Sequence, residues 1–392
     1  MTLNFIAILL VLPMCSAAHY IVGFVENAKD GTSANDHTIM LWNPSVGIQD
    51  NLTDIIGQNG NSHVNNIYMI DCEMLQEECN INDNLSLKVI DNGDHYVSEE
   101  KNVTVSGAGY DVVGNISLNS PPNVTYVNVE DDLASPPDEI DLIPATTKEV
   151  TCIARAMDYE GENSIVNATG RFYDNVASSY GGNIDNNEHY RNDSCAINYS
   201  YGSANEVEIY CTFDVWYYAN SQDWNCTIWV EDNLSASSIG DDTSFINPLL
   251  ALGLDSILNF NLIFPDITEE ATLNVTNYGN VEINLSLNGY AFEENDGYSM
   301  NCSEGDGNIS IEHEKFNLTA SNSGAISLGE LESEYTNLTS SPVTRQFNLN
   351  YRGDDLTNDA IGPTYWRMYI PDGISGNCQG NIVFGAVQAP GV

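Results

Sequence analysis

The chain has 392 residues, of which 56 are acidic and 11 are basic, so its formal net charge at pH 7 is −45. This length is too great for one β-sandwich and fits about three domains of ordinary size. The scarcity of Lys and Arg argues against nucleic acid as a partner, because phosphate binding needs clustered basic side chains. The charge indicates a solvated, self-repelling surface, with adaptation to salty water or recruitment of divalent cations as the alternatives.

The first 18 residues carry no charged side chain and contain the apolar run Phe5–Leu12, followed by small residues that end at Ala18. This pattern is typical of a secretory signal peptide, residues 1–18, which leaves a mature chain beginning at His19. A lipoprotein anchor at Cys15 is the alternative, although Met14 is larger than the residue that usually precedes such a cysteine. No later apolar run spans a bilayer without interruption, so we expect no transmembrane segment in the mature chain.

Eight of the nine cysteines follow the predicted cut: Cys72, Cys79, Cys152, Cys195, Cys211, Cys226, Cys302 and Cys378. An even number in a secreted chain predicts that all of them form disulfides. The sequence has no Cys-x-x-Cys motif, which gives a zinc or redox site little support.

Residues 19–118 form the first predicted domain. His19–Glu26 and Thr38–Trp42 alternate between apolar and polar side chains, as half-buried strands do, and Asn-Gly pairs at 59 and 92 indicate tight turns. Three pieces of this domain resemble transthyretin-like or carboxypeptidase-regulatory β-sandwich modules: Ile21–Val25, Asp30-Gly31 and Thr38–Leu41. The resemblance implies a spacer or a binding platform.

Residues 119–238 form the second predicted domain, which begins at a pair of prolines that resist helix and central strand. Val207–Val215 and Trp224–Val230 alternate strictly, and Ala219–Asp223 supplies turn residues between them. We therefore predict two antiparallel strands whose cysteines face inward, at the centre of a β-sandwich.

Two disulfide pairings are possible for the four cysteines of this domain. Cys195 and Cys211 are equidistant from Ser203, so a hairpin that turns there places their sulfurs opposite each other. This favours Cys195–Cys211 with Cys152–Cys226. The crossed pairing, Cys152–Cys211 with Cys195–Cys226, requires a different hairpin register.

The second domain resembles immunoglobulin-like and PKD-like domains. Cys152 and Cys226 occupy the places where such a fold joins its two sheets. Trp224 stands two residues before the second cysteine, where a Tyr is usual, and the candidate third strand, Ile165–Tyr173, has no Trp.

Residues 239–392 form the third predicted domain. Its phrases Leu273–Leu287, Tyr365–Gly373 and Gly380–Ala386 resemble strands of secreted prokaryotic sandwich domains, including archaeal surface-layer-associated proteins and camelysin-like fibre subunits. Cys302 and Cys378 pair by elimination. The apolar stretch Pro248–Phe264 is expected to be the first core strand, or else an exposed edge that exchanges between copies.

Catalytic motifs are missing from the sequence. The six histidines are scattered, and no His-Glu-x-x-His, Gly-x-Ser-x-Gly or Gly-rich phosphate loop occurs. We predict no catalytic residue, no cofactor and no enzymatic activity. A pair of catalytic carboxylates, as in a glycosidase, is the alternative, because acidic residues occur throughout the chain.

Acidic turns offer candidate ligands for structural calcium. They contain Asp91, Asp94, Asp131, Asp132, Asp138, Glu139 and Asp306. Turn chemistry alone also explains Asp-Asn-Gly runs. The group around Asp131 and Asp138 is favoured, because it lies near the junction of the first two domains.

Asn-x-Ser/Thr sequons predict N-glycosylation across every domain. They begin at Asn51, Asn84, Asn102, Asn115, Asn123, Asn167, Asn192, Asn198, Asn225, Asn233, Asn274, Asn284, Asn301, Asn308, Asn317 and Asn337. The side chain of Asn225 is expected to point outward. Trp216, Tyr218 and Trp229 fall on the face opposite the cysteines, where they either pack against a neighbouring domain or stack on sugars.

The sequence therefore predicts an all-β protein with three β-sandwich domains in series after a signal peptide. We expect a non-enzymatic structural or assembly protein, secreted to the cell surface of an archaeon or similar microbe. Its expected partners are other surface proteins or copies of itself, with glycans as the alternative. A carbohydrate-binding adhesin is the second interpretation and an extracellular hydrolase the third.

Overall fold

The computed structural model describes residues 18–130, 139–255, 257–260, 267–305 and 307–390. About 50% of the chain is strand and 4% is helix, which confirms the predicted all-β class. The signal peptide predicted over residues 1–18 lies outside the described residues except for Ala18. Among the described residues, no helix is long and apolar enough to cross a membrane.

The first group of strands forms two sheets, ordered β4-β1-β9-β6, with β8 also on β1, and β3-β2-β5-β7. The strands are β1 Tyr20–Glu26, β2 Thr38–Trp42, β3 Asn51–Ile55, β4 Ile67–Asp71, β5 Asn84–Ile90, β6 Val97–Ser98, β7 Lys101–Thr104, β8 Tyr110–Val112 and β9 Ile116–Asn119. Strand β1 is antiparallel to β4 but parallel to β8 and β9. Side chains of both sheets, among them Ile21 and Leu87, share one core.

The second group also forms two sheets, ordered β10-β12-β16-β15 and β11-β18-β17-β13-β14. Its strands are β10 Asn123–Glu130, β11 Glu139–Ile140, β12 Thr147–Met157, β13 Ile165–Asp174, β14 His189–Asn192, β15 Ala196–Asn198, β16 Glu206–Trp216, β17 Asp223–Asp232 and β18 Ser237–Ile246. The predicted boundary after residue 238 falls inside β18, because β18 continues the antiparallel pairing of β17 up to Phe245.

Strands β16 and β17 contain the two alternating runs seen in the sequence. Every second residue of β16, from Val207 to Val215, is buried, and Trp224, Cys226, Ile228 and Val230 of β17 are buried in the same core. These two strands lie in different sheets, however, and do not form the predicted antiparallel pair. Strand β16 pairs with β12 and β15, and β17 pairs with β13 and β18.

Four disulfides are present: Cys72–Cys79, Cys152–Cys226, Cys195–Cys211 and Cys302–Cys378. Ala196 pairs with Tyr210 across β15 and β16, which is the register that places Cys195 beside Cys211. Cys152–Cys226 joins the two sheets of the second group, since β12 and β17 belong to different sheets. The pairing favoured from the hairpin geometry is therefore the one in the structure.

The third group contains three sheets, ordered β19-β20-β27-β24-β25, β26-β21-β29 and β23-β22-β28. Its strands are β19 Leu252–Leu254, β20 Ala271–Asn277, β21 Ile283–Tyr290, β22 Tyr298–Gly305, β23 Ile309–Ser310, β24 Glu314–Asn317, β25 Thr336–Asn337, β26 Val343–Leu349, β27 Ala360–Met368, β28 Ile374–Gln379 and β29 Asn381–Gln388. The short helix α1, Leu328–Glu334, starts at a capping box formed by Ser327 and Glu330. Trp366 lies at the centre of the main core.

The apolar stretch Pro248–Phe264 does not form a core strand over its described part. Strand β19 lies at the edge of its sheet and pairs only with β20. Leu254 and Ile257 are exposed, whereas Leu258 and Phe260 pack against the core. The rest of the stretch, residue 256 and residues 261–264, lies outside the described residues.

The second and third groups are joined by a polar contact around Tyr218. Its hydroxyl donates to Asp355 at 3.0 Å, and the Arg352 guanidinium lies 4.4 Å from its ring centroid. Tyr217 donates to Asp359 at 2.5 Å. Tyr218 is buried, so of the two roles predicted for the outward aromatic residues, packing against a neighbouring unit applies to it.

Candidate functional site: a groove beside uncharged edge strands

Two neighbouring cavities open in the third group, with volumes of about 750 and 240 Å³. Leu258, Phe260 and Met300 line both of them. Ligand sites in proteins are usually concave, mostly apolar and of this size, with a few polar groups. We call the two cavities together the groove, and it is the leading candidate for a binding site among the described residues.

The larger cavity lies beside the sheet that contains β22 and β28. Ile309, Met368 and Ile374 contribute its apolar wall. Cys302 and Cys378 are directly opposite each other in the ladder of β22 and β28 and are joined by a disulfide. This bond holds one side of the cavity at a fixed spacing.

The smaller cavity contains a buried acid, Glu314. It shares the inward face of β24 with Phe316, because side chains two apart on a strand point the same way. Glu314 is 1% exposed, and no described residue forms a hydrogen bond with its Oε1. Burial raises the pKa of Glu314 to about 8, so the side chain is mostly a neutral carboxylic acid at pH 7. A neutral carboxylic acid can donate one hydrogen bond and still accept others.

The neighbouring Lys315 does not neutralise Glu314, since it points to the other face of β24. Its ammonium group lies 2.9 Å from Glu332 of α1 and also donates to the Asn337 side chain. Helix α1 thus supplies the counter-charge for the buried lysine, while Glu314 faces the cavity without one.

The two strands that complete the groove carry no charge. Residues 373–392, which include all of β28 and β29, contain no charged side chain. Among the described strands, β28 is the last of its sheet and β29 is the last of its own, so each has one edge without a described partner. Ile374 of β28 lines the larger cavity, and Ile382 and Phe384 of β29 line the smaller one.

The acidic turns predicted to bind calcium are satisfied by other partners where the structure describes them. Asp91 accepts backbone N–H groups of Gly93 and His95, which lowers its pKa. The Asp94 Oδ2 lies 3.2 Å from the Nε2 of His37, and Glu139 accepts from Asn247. Asp131, Asp132, Asp138 and Asp306 lie outside the described residues. Nowhere in the described ranges do three or more His, Cys, Asp or Glu side chains form a cluster that could hold a metal.

The sequons differ in how accessible their side chains are. Asn84, Asn102 and Asn123 are exposed. Asn284 is buried and accepts two backbone N–H groups, from Phe347 and Asn348. Asn225 lies between the buried Trp224 and Cys226 of β17, on the outer face of the strand, where it is half-buried. Its nitrogen donates to Tyr173 and Thr227, and its oxygen is buried without a partner.

Sequence reasoning missed Glu314 and the groove. The available signal was the spacing of Glu314 and Phe316, which puts an acid on the same face as a core aromatic residue. That signal is weak, because all three residues from 314 to 316 are buried and β24 shows no alternation of burial. The groove itself is built from strands that are distant in sequence.

No family model and no curated protein sequence matches the chain. Among solved structures, it is similar to BcpA, the major pilin subunit of Bacillus cereus, at 7% identity and a TM-score of 0.28, over 94% of this chain and 95% of that one. It is similar to the major pilin SpaD from Corynebacterium diphtheriae at 7% identity and a TM-score of 0.27, over 95% and 87% of the two chains. A tetra-tandem repeat from the extending region of a large adhesion protein matches at 10% identity and a TM-score of 0.27, over 95% and 74%. TM-scores this low do not assign a fold family, so the transthyretin-like, immunoglobulin-like and surface-layer-associated resemblances stay predictions.

Proposed function

We propose that this chain is an extracellular, non-enzymatic surface protein whose copies assemble through the unpaired edges of β28 and β29. The observation that carries this proposal is the absence of charge from residues 373–392 in a chain with 56 acidic residues. Four disulfides support an oxidising, extracellular setting.

Charge decides where two copies of this protein can meet. At a net charge of −45, most surfaces of two copies repel each other. Natural edge strands are commonly protected by charged residues or proline, since an unprotected edge is a template for another strand. Strands β28 and β29 contain neither. The edges of β28 and β29 therefore combine weak charge repulsion with no protecting charge or proline.

The groove adds specificity to pairing at this edge. When a strand is added to a sheet edge, backbone hydrogen bonds supply affinity and pockets for alternate side chains supply specificity. Both cavities are lined by β28 or β29. An apolar side chain from the second copy would fill space that is open in a single copy.

A charge placed on β29 tests the proposal. Val383 is 38% exposed and points away from the face that carries Ile382 and Phe384. Sedimentation velocity of the wild type should show an average mass that rises with protein concentration at about 0.15 M salt, where repulsion is screened beyond about 8 Å. Val383→Asp should stay at the monomer mass, because it adds an unpaired charge to the contact.

Ile361→Asp is the matched control. Ile361 is also an exposed apolar residue of the third group, but it belongs to β27, where it pairs with Thr276 of β20, and so it lies outside β28 and β29. This variant should associate like the wild type. A wild type that stays monomeric at every concentration contradicts the proposal, as does association that Val383→Asp leaves unchanged.

A further inference from the structure

Two carboxylates lie together at the joint between the first and second groups of strands. Asp158 is fully buried and follows directly on β12, and Glu160 is two residues further on. The Oδ1 of Asp158 accepts the backbone N–H of Glu160 at 2.7 Å. The Asp158 Oδ2 and the Glu160 Oε2 are both buried, and among the described residues neither has a hydrogen-bond donor outside the pair. The two side chains can hydrogen-bond to each other there only by sharing a proton.

Residues of the first group close this joint. Ser120 lies in the short connection between β9 and β10, and its hydroxyl is 3.5 Å from Glu160 Oε1. The same hydroxyl accepts the backbone N–H of Asp30 at 3.4 Å. Next to it, Asn119 donates to the buried Asp232 at 2.6 Å. The carboxylate pair therefore lies where the two groups of strands touch.

The protein supplies no adequate positive charge for this pair. Burial and the neighbouring Asp158 raise the pKa of Glu160 to about 7. Burial also raises the pKa of Asp232, to which Asp158 adds a smaller effect. Lys29 favours ionisation of Glu160, but among the described residues no Lys or Arg forms a salt bridge with either carboxylate. Two buried carboxyl groups with no donor outside the pair are costly, and a cation bound between them would satisfy both at once.

We propose that this joint binds Ca²⁺, with Asp158 Oδ2 and the Glu160 carboxylate as its charged ligands. Calcium takes six to eight oxygen ligands in flexible geometry, including hydroxyls, carbonyls and water, whereas Mg²⁺ demands a near-ideal octahedron. Ser120 is placed to offer a neutral oxygen. Two carboxylates give a weak site, with a Kd of about 0.1–1 mM, as in extracellular modules.

The inference is independent of the assembly proposal, because this joint shares no residue with β28 or β29. If it is correct, Ca²⁺ links the first two groups of strands and stiffens the chain at their junction. The sequence had placed a calcium candidate near the same junction, at Asp131 and Asp138, but the pair found here was not among the predicted residues.

Thermal unfolding of the whole chain with CaCl₂, with MgCl₂ or with a chelator, all at equal ionic strength, tests the proposal. Ca²⁺ should raise the melting temperature of the wild type in the millimolar range, and Mg²⁺ should raise it less. Asp158→Asn and Glu160→Gln should each lower the affinity for Ca²⁺ by more than about tenfold. Equilibrium dialysis measures that affinity. In chelator, each variant should melt at or above the wild-type temperature, because the repulsion between the carboxylates is gone.

Asp241→Asn is the control with the same change in charge, on an exposed position of β18. It should bind Ca²⁺ like the wild type. A wild type that binds no Ca²⁺ at millimolar concentration overturns the proposal, and the pair then shares a proton instead. Binding that survives in both Asp158→Asn and Glu160→Gln overturns it too. If Asp158→Asn fails to fold, Glu160→Gln and the Ca²⁺ binding of the wild type still test the proposal.

Discussion

Glu314 couples the stability of the third group to pH. Its pKa rises from 4.5 to about 8 on folding, because the side chain is fully buried. The folded state therefore binds a proton more tightly than the unfolded state. The corresponding stability is fully present below about pH 4.5 and is lost as the pH rises through about 8.

We expect Glu314→Gln to remove this dependence on pH. The free energy of unfolding of the wild type should fall between pH 5 and 9 by roughly a few kcal/mol more than that of the variant, since each unit of pKa shift corresponds to about 1.4 kcal/mol. Urea unfolding monitored by tryptophan fluorescence measures the difference. Glu312→Gln, at an exposed site two residues away, should keep the wild-type dependence. Equal pH profiles for Glu314→Gln and the wild type would show that Glu314 is not buried.

Single residues were predictable where a local rule constrains them. The Cys195–Cys211 pair follows from the symmetry of one hairpin about Ser203. Glu314 and the Asp158–Glu160 pair follow no local rule, because their burial depends on strands and loops far away in the sequence. The hydrogen bond from the Asn225 amide to Tyr173 was not predictable for the same reason, because Tyr173 belongs to the neighbouring strand β13.

At the scale of elements, the two sheets of the second group approach each other closely at Gly170 of β13. A Cβ atom added there would lie 2.8 Å from the Cβ of Cys211 and 2.9 Å from its sulfur. Cys211 is itself held by its disulfide to Cys195. Cys211 therefore has little freedom to move away from a side chain added at Gly170.

Gly170→Ala should destabilise the second group by about 1–3 kcal/mol, as overpacking of a core does. Chemical denaturation measures the loss. Gly114→Ala is the control, because a Cβ at Gly114 meets no atom within 4 Å. A Gly170→Ala variant as stable as the control would mean that the two sheets are further apart at this point.

The buried faces of strands whose side chains alternate between apolar and polar were predicted correctly. The assignment of strands to sheets was not. The inward rows of β16 and β17 are visible in the sequence, because alternate burial leaves a pattern in each strand. Their assignment to different sheets leaves no local pattern. The parallel pairing of β1 with β8 and β9 is likewise a property of the folded chain. Pro248–Phe264 is apolar, but its strand β19 lies at a sheet edge.

For the whole molecule, repulsion between like charges is the dominant long-range interaction. A net charge of −45 favours expansion at low ionic strength, and salt screens that repulsion within about 10 Å at 0.1 M. We expect the melting temperature to rise as NaCl increases from about 0.01 to 0.3 M, a range over which screening strengthens severalfold. Calorimetry in the presence of chelator separates this effect from Ca²⁺ binding. A melting temperature that does not respond to salt would contradict the repulsion argument.

The series of three groups of strands was visible in the sequence, but the contacts between them were not. The joint around Tyr218 depends on Arg352 and Asp355, more than 130 residues away. The joint at Asp158 depends on Ser120 across the first boundary. Each residue in such a contact fits the local sequence pattern of its own segment. Composition and periodicity therefore do not reveal the contact.

Hydrogen–deuterium exchange of the β29 amides, Asn381–Gln388, tests the assembly account most directly. In dilute protein, the amides that face the unpaired edge should exchange rapidly, because β21 is the only described partner of β29. In concentrated wild-type protein the same amides should become protected, and Val383→Asp should abolish that protection. Protection that is independent of concentration, or that increases elsewhere while β29 stays unchanged, would contradict assembly through this edge.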